Sequence, residues 1–109
     1  MKALVAAIGL SWLLGAPARA DEPISYTQGG ALMTKYQCAS CHAPDSMLHG
    51  PSLRAMAKKY ASDPTAQGEL ETKVLNGSAG VWGTNSVMPP SEVPQADLHK
   101  LIEWILSLR

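Results

Sequence analysis

Both cysteines of this 109-residue chain stand in one short run, Cys38-Ala39-Ser40-Cys41-His42. Two thiols three positions apart, followed at once by a histidine, have three chemical uses: a redox dithiol, part of a zinc shell, or the covalent attachment of a haem. Zinc requires four ligands in a tetrahedral shell, and beyond the thiols the sequence offers only His42, His49 and His99, with no second short-spaced pair. Adjacent Cys41 and His42 point in different directions and serve one metal poorly. The dithiol reading expects a βαβ context, and nothing in the chain reads as a good strand. A disulfide across so short a gap constrains the unfolded chain little, so the pair is no structural staple either. Haem attachment uses every residue of the run: the thiols add to the two vinyl groups, and His42 meets the iron through Nε2.

An iron held on one side by His42 needs a ligand on the other. Of the five methionines, Met1 falls in the leading segment, while Met33 and Met56 lie on apolar faces of predicted helices and read as core filler. Met47 is too close to His42 in sequence to reach the far face of the ring. Met88 remains, in a loop and followed by Pro89-Pro90, which stiffen the backbone where a thioether must be held.

These residues have to be positioned by the elements around them. From Gly29 onward Leu32, Met33 and Tyr36 recur at helical spacing and predict a short helix ending at the cysteines, with Asp21 to Gln28 as a polar leader. Ala43 to Pro51 reads as loop. Ser52 predicts an N-cap for a helix whose face is Leu53, Met56, Ala57 and Tyr60. Another helix, Ala66 to Leu75, presents Leu70, Val74 and Leu75 and stops at Asn76-Gly77. The stretch from Gly77 to Val93 has no periodicity, and long loops of this kind in compact domains are usually functional. The last helix starts at Pro94, taken as its first residue, with Leu98, Leu101, Ile102, Ile105 and Leu108 on one stripe. The fold class is all-α, three to four short helices around one long loop.

The first twenty residues read as a secretory signal: Lys2, an apolar stretch from Ala3 to Leu14, and Ala18-Arg19-Ala20 as a small-x-small cleavage site. The apolar stretch is shorter than the ~20 residues of a spanning helix, which leaves residues 1–20 as a cleaved segment and 21–109 as one domain. The whole chain has nine basic and nine acidic residues. Removing Lys2 and Arg19 leaves a slightly acidic remainder, a poor match for nucleic acid. A domain of this size, with no phenylalanine at all, is marginal unless a cofactor adds to its core.

Taken together, "CASCH", "HGPSL", "LNGSAGVWG", "MPP" and the amphipathic last helix resemble a small bacterial class I c-type cytochrome of the five-fifty-one type, from about Gly29 to the C-terminus. The resemblance implies helices wrapped around one haem c, attached at Cys38 and Cys41, with its iron between His42 and Met88. It implies that the Pro51 carbonyl orients the His42 imidazole and that Trp82 and Lys73 lie near a propionate. Met33 replaces a family-typical aromatic, which should soften the contact between the terminal helices, where Gly30 allows the close approach of Trp104. The segment from Gly83 to Met88 is longer than in close relatives, which bears on where Met88 sits. The implied function is a periplasmic electron carrier, a monomer and not an enzyme, serving transient donor and acceptor proteins without stable membrane insertion. Competing readings are a haem subunit of a periplasmic dehydrogenase or reductase, and a thiol oxidoreductase using Cys38 and Cys41. Lys35, Lys58 and Lys59 read as solvated charges, with a local basic patch as the alternative. Neither His49 nor His99 is expected to be a ligand.

Overall fold

The computed structural model describes residues 2–11, 15 and 22–109. The expected cleavage after Ala20 lies outside the described residues, and no described helix is long and apolar enough to cross a membrane. Helix α1 spans Tyr26–Lys35, α2 Leu53–Lys59, α3 Ala66–Asn76 and α4 Gln95–Leu106.

Helix α1 begins earlier than its hydrophobic spacing predicts, within the stretch read as leader. Ser25 accepts a hydrogen bond from the Gln28 amide at 3.1 Å, and its own amide donates to Gln28 Oε1 at 2.8 Å. This capping box satisfies two otherwise orphaned donors and fixes the start. The helix then packs on α4 through Gly29, not Gly30. A Cβ on Gly29 would fall inside the Trp104 ring, whereas one on Gly30 would meet nothing within 4 Å. The reason is helical phase: Gly29 shares a face with buried Met33 four residues on, and Gly30 lies about 100° round from it. The terminal helices retain an aromatic contact, since Tyr26 meets Trp104 edge-on at 5.6 Å between centroids.

Ser52 caps α2 as its sequence predicts, accepting from the Ala55 amide at 3.1 Å. The last turn of α3 ends at Gly77, whose φ of +79° favours glycine. Position 77 is doubly constrained, because a Cβ there would also lie 2.8 Å from the Met88 carbonyl oxygen. Pro94 caps α4 instead of opening it. Its ψ of 139° is extended, and its carbonyl accepts from the Leu98 amide at 2.9 Å, so the helix proper starts one residue later.

Helix α4 packs against each of the other three helices. Its stripe of Leu98, Leu101, Ile102 and Ile105 is buried, as are Trp104 and, past the helix end, Leu108. Around it stand Met33, Leu53, Ala57, Tyr60, Leu70 and Val74, whereas Leu75, expected on the same face, is exposed because it lies about 100° round the helix from Val74. The fold is all-α in class, with one departure from the expectation of no strand: β1 (Ser78–Ala79) pairs antiparallel with β2 (Val87–Met88), in the register Ser78 to Met88 and Ala79 to Val87. Backbone pairing shapes this segment without any alternation of apolar residues, so periodicity could not reveal it.

Candidate functional site

The chain leaves α1 through Gln37, held in the left-handed region at φ 61°. This turn feeds Cys38–Ser40 into a single 3₁₀ turn, and the amides of Cys41 and His42 both bond back to the Cys38 carbonyl, at 3.2 and 3.0 Å. Both thiols and the imidazole are thereby carried on one tight bend. The chain is then folded back by the Gly50 amide donating to Cys41 O at 2.9 Å, and by Leu53 and Arg54 donating to Ala43 O and Pro44 O at 2.9 and 3.1 Å.

His42 is the most constrained side chain of this segment. Its Nδ1 lies 2.8 Å from the Pro51 carbonyl oxygen, which can only accept, so Nδ1 carries the proton and Nε2 keeps its lone pair. The expectation for Pro51 is therefore met. A Cβ on Gly50 would lie 2.6 Å from His42 Cε1, 3.0 Å from Nδ1 and 3.2 Å from Nε2. Only glycine lets the imidazole lie against that backbone, a role that the sequence reading of "HGPSL" missed although Gly50 stands in the motif.

Cys38, Cys41, His42 and Met88 border one cleft of about 950 Å3, its open mouth included. Helices supply much of its apolar lining, through Leu53, Leu70, Val74, Leu101 and Ile102, while Val81, Trp82 and Pro89 come from the β1–β2 segment. Met33 and Met56 border the cleft as well as packing in or against the core, so three thioethers reach it. Of these, Met88 alone lies outside a helix. Met47 is 69% exposed and does not border the cleft. Trp82 and Lys73 line it, and so does exposed His49.

The donor set and the cleft fit a haem. Two free thiols, an imidazole with its Nε2 lone pair available and a thioether share an apolar recess, and no buried side-chain polar atom among the described residues lacks a partner. The alternatives fit less well. Among the described residues no group of three or more His, Cys, Asp or Glu side chains could hold a metal, which removes the zinc shell. Burial pushes the Cys38 thiol up, the reverse of the lowered pKa that activates a redox cysteine.

His99 is 56% exposed on α4, 3.1 Å from Glu71 Oε1 and 3.9 Å from Glu103 Oε2, and stands away from the cleft as expected. Lys35 and Lys59 are not merely solvated. The Lys35 ammonium sits 3.6 Å from Asp97 Oδ2, and that of Lys59 lies over the Trp82 ring.

Known proteins match both sequence and fold. The family model for cytochrome c matches residues 26–109. Cytochrome c-551 of Stutzerimonas stutzeri is 39% identical over 92 residues, 84% of this chain and 88% of that protein. Cytochrome c-552 of Nitrosomonas europaea is 37% identical over 100 residues, 91% of this chain and 97% of that protein. The crystal structure of wild-type Nitrosomonas europaea cytochrome c552 superposes with a TM-score of 0.69 at 40% identity, covering 73% of this chain and 99% of that one. With Cys38, Cys41 and His42 gathered at an apolar cleft, the chain belongs to the cytochrome c family, as a small all-α class I electron carrier with one covalently attached c-type haem.

Proposed function

We propose that the chain is exported, cut after Ala20, and works in the periplasm as residues 21–109, passing single electrons between protein partners without catalysing a reaction of its own. Cys38 and Cys41 would hold the haem through thioether bonds, and His42 Nε2 and Met88 Sδ would hold its iron. The carrying observation is that these four side chains border one cleft. When bound, the haem supplies a one-electron change at iron, and thioether ligation favours the reduced form relative to bis-histidine ligation.

The protein's part is to hold its groups still and dry. The hydrogen bond to Pro51 O fixes the His42 tautomer and the orientation of its ring. Helix α4 closes the recess with Leu101, Ile102 and Ile105. Were His42 and Met88 both to hold the iron, no position would be left on it for a small molecule, which favours a carrier over an enzyme. Val81 and Val87 line the cleft yet are 37% and 70% exposed, so its mouth offers apolar surface to a docking partner. Transient redox interfaces are small, below about 1,200 Å2, and a patch at the mouth suffices.

Carbon monoxide tests the carrier reading. The reduced protein is expected to bind it slowly and incompletely at neutral pH, and rapid, complete binding would favour a haem enzyme or sensor. Mass spectrometry of the exported protein tests the domain boundary, with Asp21 expected as the N-terminus.

A further inference from the structure

Lys59 closes α2, and its sequence context gives it no role. In the structure its Nζ lies 5.3 Å from the centroid of the Trp82 ring and 5.9 Å from that of Tyr60. The ammonium therefore meets two aromatic faces, one beside it on the chain and one from the β1–β2 segment. Both rings border the cleft, and Trp82 packs against the core. Lys58, one position away, is exposed and lies over no ring among the described residues.

The β1–β2 segment has few other ties. Its internal bonds are backbone ones, with Gly80 N donating to Ser86 O at 2.9 Å and Ser86 N to Gly83 O at 3.1 Å, beside the short pairing of Ser78 with Met88. Among the described residues, no side-chain hydrogen bond or ion pair joins residues 78–90 to a helix. The Lys59–Trp82 contact is the polar attachment between this segment and α2.

We propose that Lys59 is a positioning residue: its ammonium, held by the indole quadrupole, seats Trp82 and with it the segment that ends in Met88. The seating stands on the contact itself, while its consequence at iron rests on Met88 being a ligand. A cation over an aromatic face at an exposed site shifts such an equilibrium by about 2- to 5-fold.

The test uses the haem-loaded protein and reads hydrogen exchange at the Gly80 and Ser86 amides by NMR, with the Leu101 and Ile102 amides as a global reference. Lys59→Gln is expected to speed exchange at Gly80 and Ser86 by about 2- to 5-fold and leave the reference amides unchanged. Lys59→Arg restores the slow rate, because a guanidinium also stacks on indole, and Lys58→Gln has no effect. In a Trp82→Leu background, Lys59→Gln adds nothing further. Should Trp82→Leu fail to fold, the contrast between Gln and Arg at position 59 decides. Unchanged exchange in Lys59→Gln, no rescue by Arg, or equal acceleration without Trp82 overturns the proposal. The rate of imidazole binding to the oxidised protein is the second readout, and it should rise in parallel. Accelerated exchange with an unchanged imidazole rate sustains the seating and contradicts Met88 as the displaced ligand.

Discussion

The two segments that bring chemistry to the cleft are built differently. His42 sits in a segment tied at many points: the 3₁₀ turn onto Cys38 O, the return bond from Gly50 to Cys41 O, the Pro51 carbonyl on Nδ1, and the Gly50 backbone against the ring. Met88 sits on a two-residue strand, in a segment turned by Gly77, Gly80 and Gly83, all at positive φ. One side of the cleft is over-determined and the other is held mainly by short backbone pairing, packing and one cation over a ring. Imidazole orientation should therefore be insensitive to small changes elsewhere, and sulfur placement should be where this protein is tuned or loosened.

The largest effect should come from the element behind both segments. Leu101 is 2% exposed on α4 and borders the cleft, so Leu101→Ala should cost about 2–5 kcal/mol in denaturant unfolding of the haem-loaded protein. It should weaken both sides together, and selective damage to one would break the comparison. Next, Gly50→Ala places a methyl 2.6 Å from His42 Cε1 while Pro51 O prevents the ring from turning away. A loss of about 1–3 kcal/mol is expected, with displaced His42 ring resonances and little change at Met88. A variant as stable as the wild type would show that the imidazole is held less tightly than argued.

A smaller effect of opposite sign sharpens the same point. Gln37 is the one described residue other than glycine with positive φ, and it stands just before Cys38. The left-handed region costs such a residue about 1–2 kcal/mol, partly offset in Gln37→Gly by the greater freedom of glycine when unfolded. A net gain of about 0.5–1 kcal/mol is expected in thermal or denaturant unfolding.

The mildest effect is a pH dependence confined to the attachment side. Tyr36 donates to Asp97 Oδ2 at 2.5 Å and ties the end of α1 to α4 two residues before Cys38. The Tyr36 hydroxyl, and beside it the Lys35 ammonium, hold the Asp97 carboxyl below its usual value of 3.8, while the bond to Asp97 raises Tyr36 above 10.0. Asp97's contribution is thus present above pH 3.8 and lost as pH falls through its lowered folded value. Tyr36's contribution is present below pH 10.0 and lost as pH rises through its raised folded value. Comparing wild type with Tyr36→Phe by unfolding across pH should show a difference that shrinks at both extremes, and a constant difference would remove the linkage.

Much of the frame is legible in the residues because local physics sets it. Ser52 announces α2, Gly77 ends α3, the stripe on α4 gives its buried face, and "GP" before Ser52 places the carbonyl that His42 uses. What escaped reading depends on partners distant in sequence or on signals that hydrophobic spacing ignores. The start of α1 lies in Ser25 and Gln28, a polar pair visible only to a search for capping boxes. The choice of Gly29 over Gly30 required the phase that Met33 sets. The β1–β2 pairing leaves no alternation to find. The Lys59–Trp82 contact joins two elements by a cation and a ring, which no periodicity encodes. At the cleft, Cys38, Cys41 and His42 were legible from one run, while Met88 was reached by elimination among five methionines, three of which border the cleft, and by the resemblance of "MPP".

His42 and Met88 are proposed to hold between them the iron of one covalently attached haem. Absorption spectra of the oxidised haem-loaded protein, wild type beside Met88→Ala, test it most directly. The weak far-red sulfur-to-iron band is expected in the wild type and is expected to be lost in the variant, with the haem still bound through both cysteines. Retention of that band in Met88→Ala would assign the sulfur to Met33 or Met56 and contradict the account.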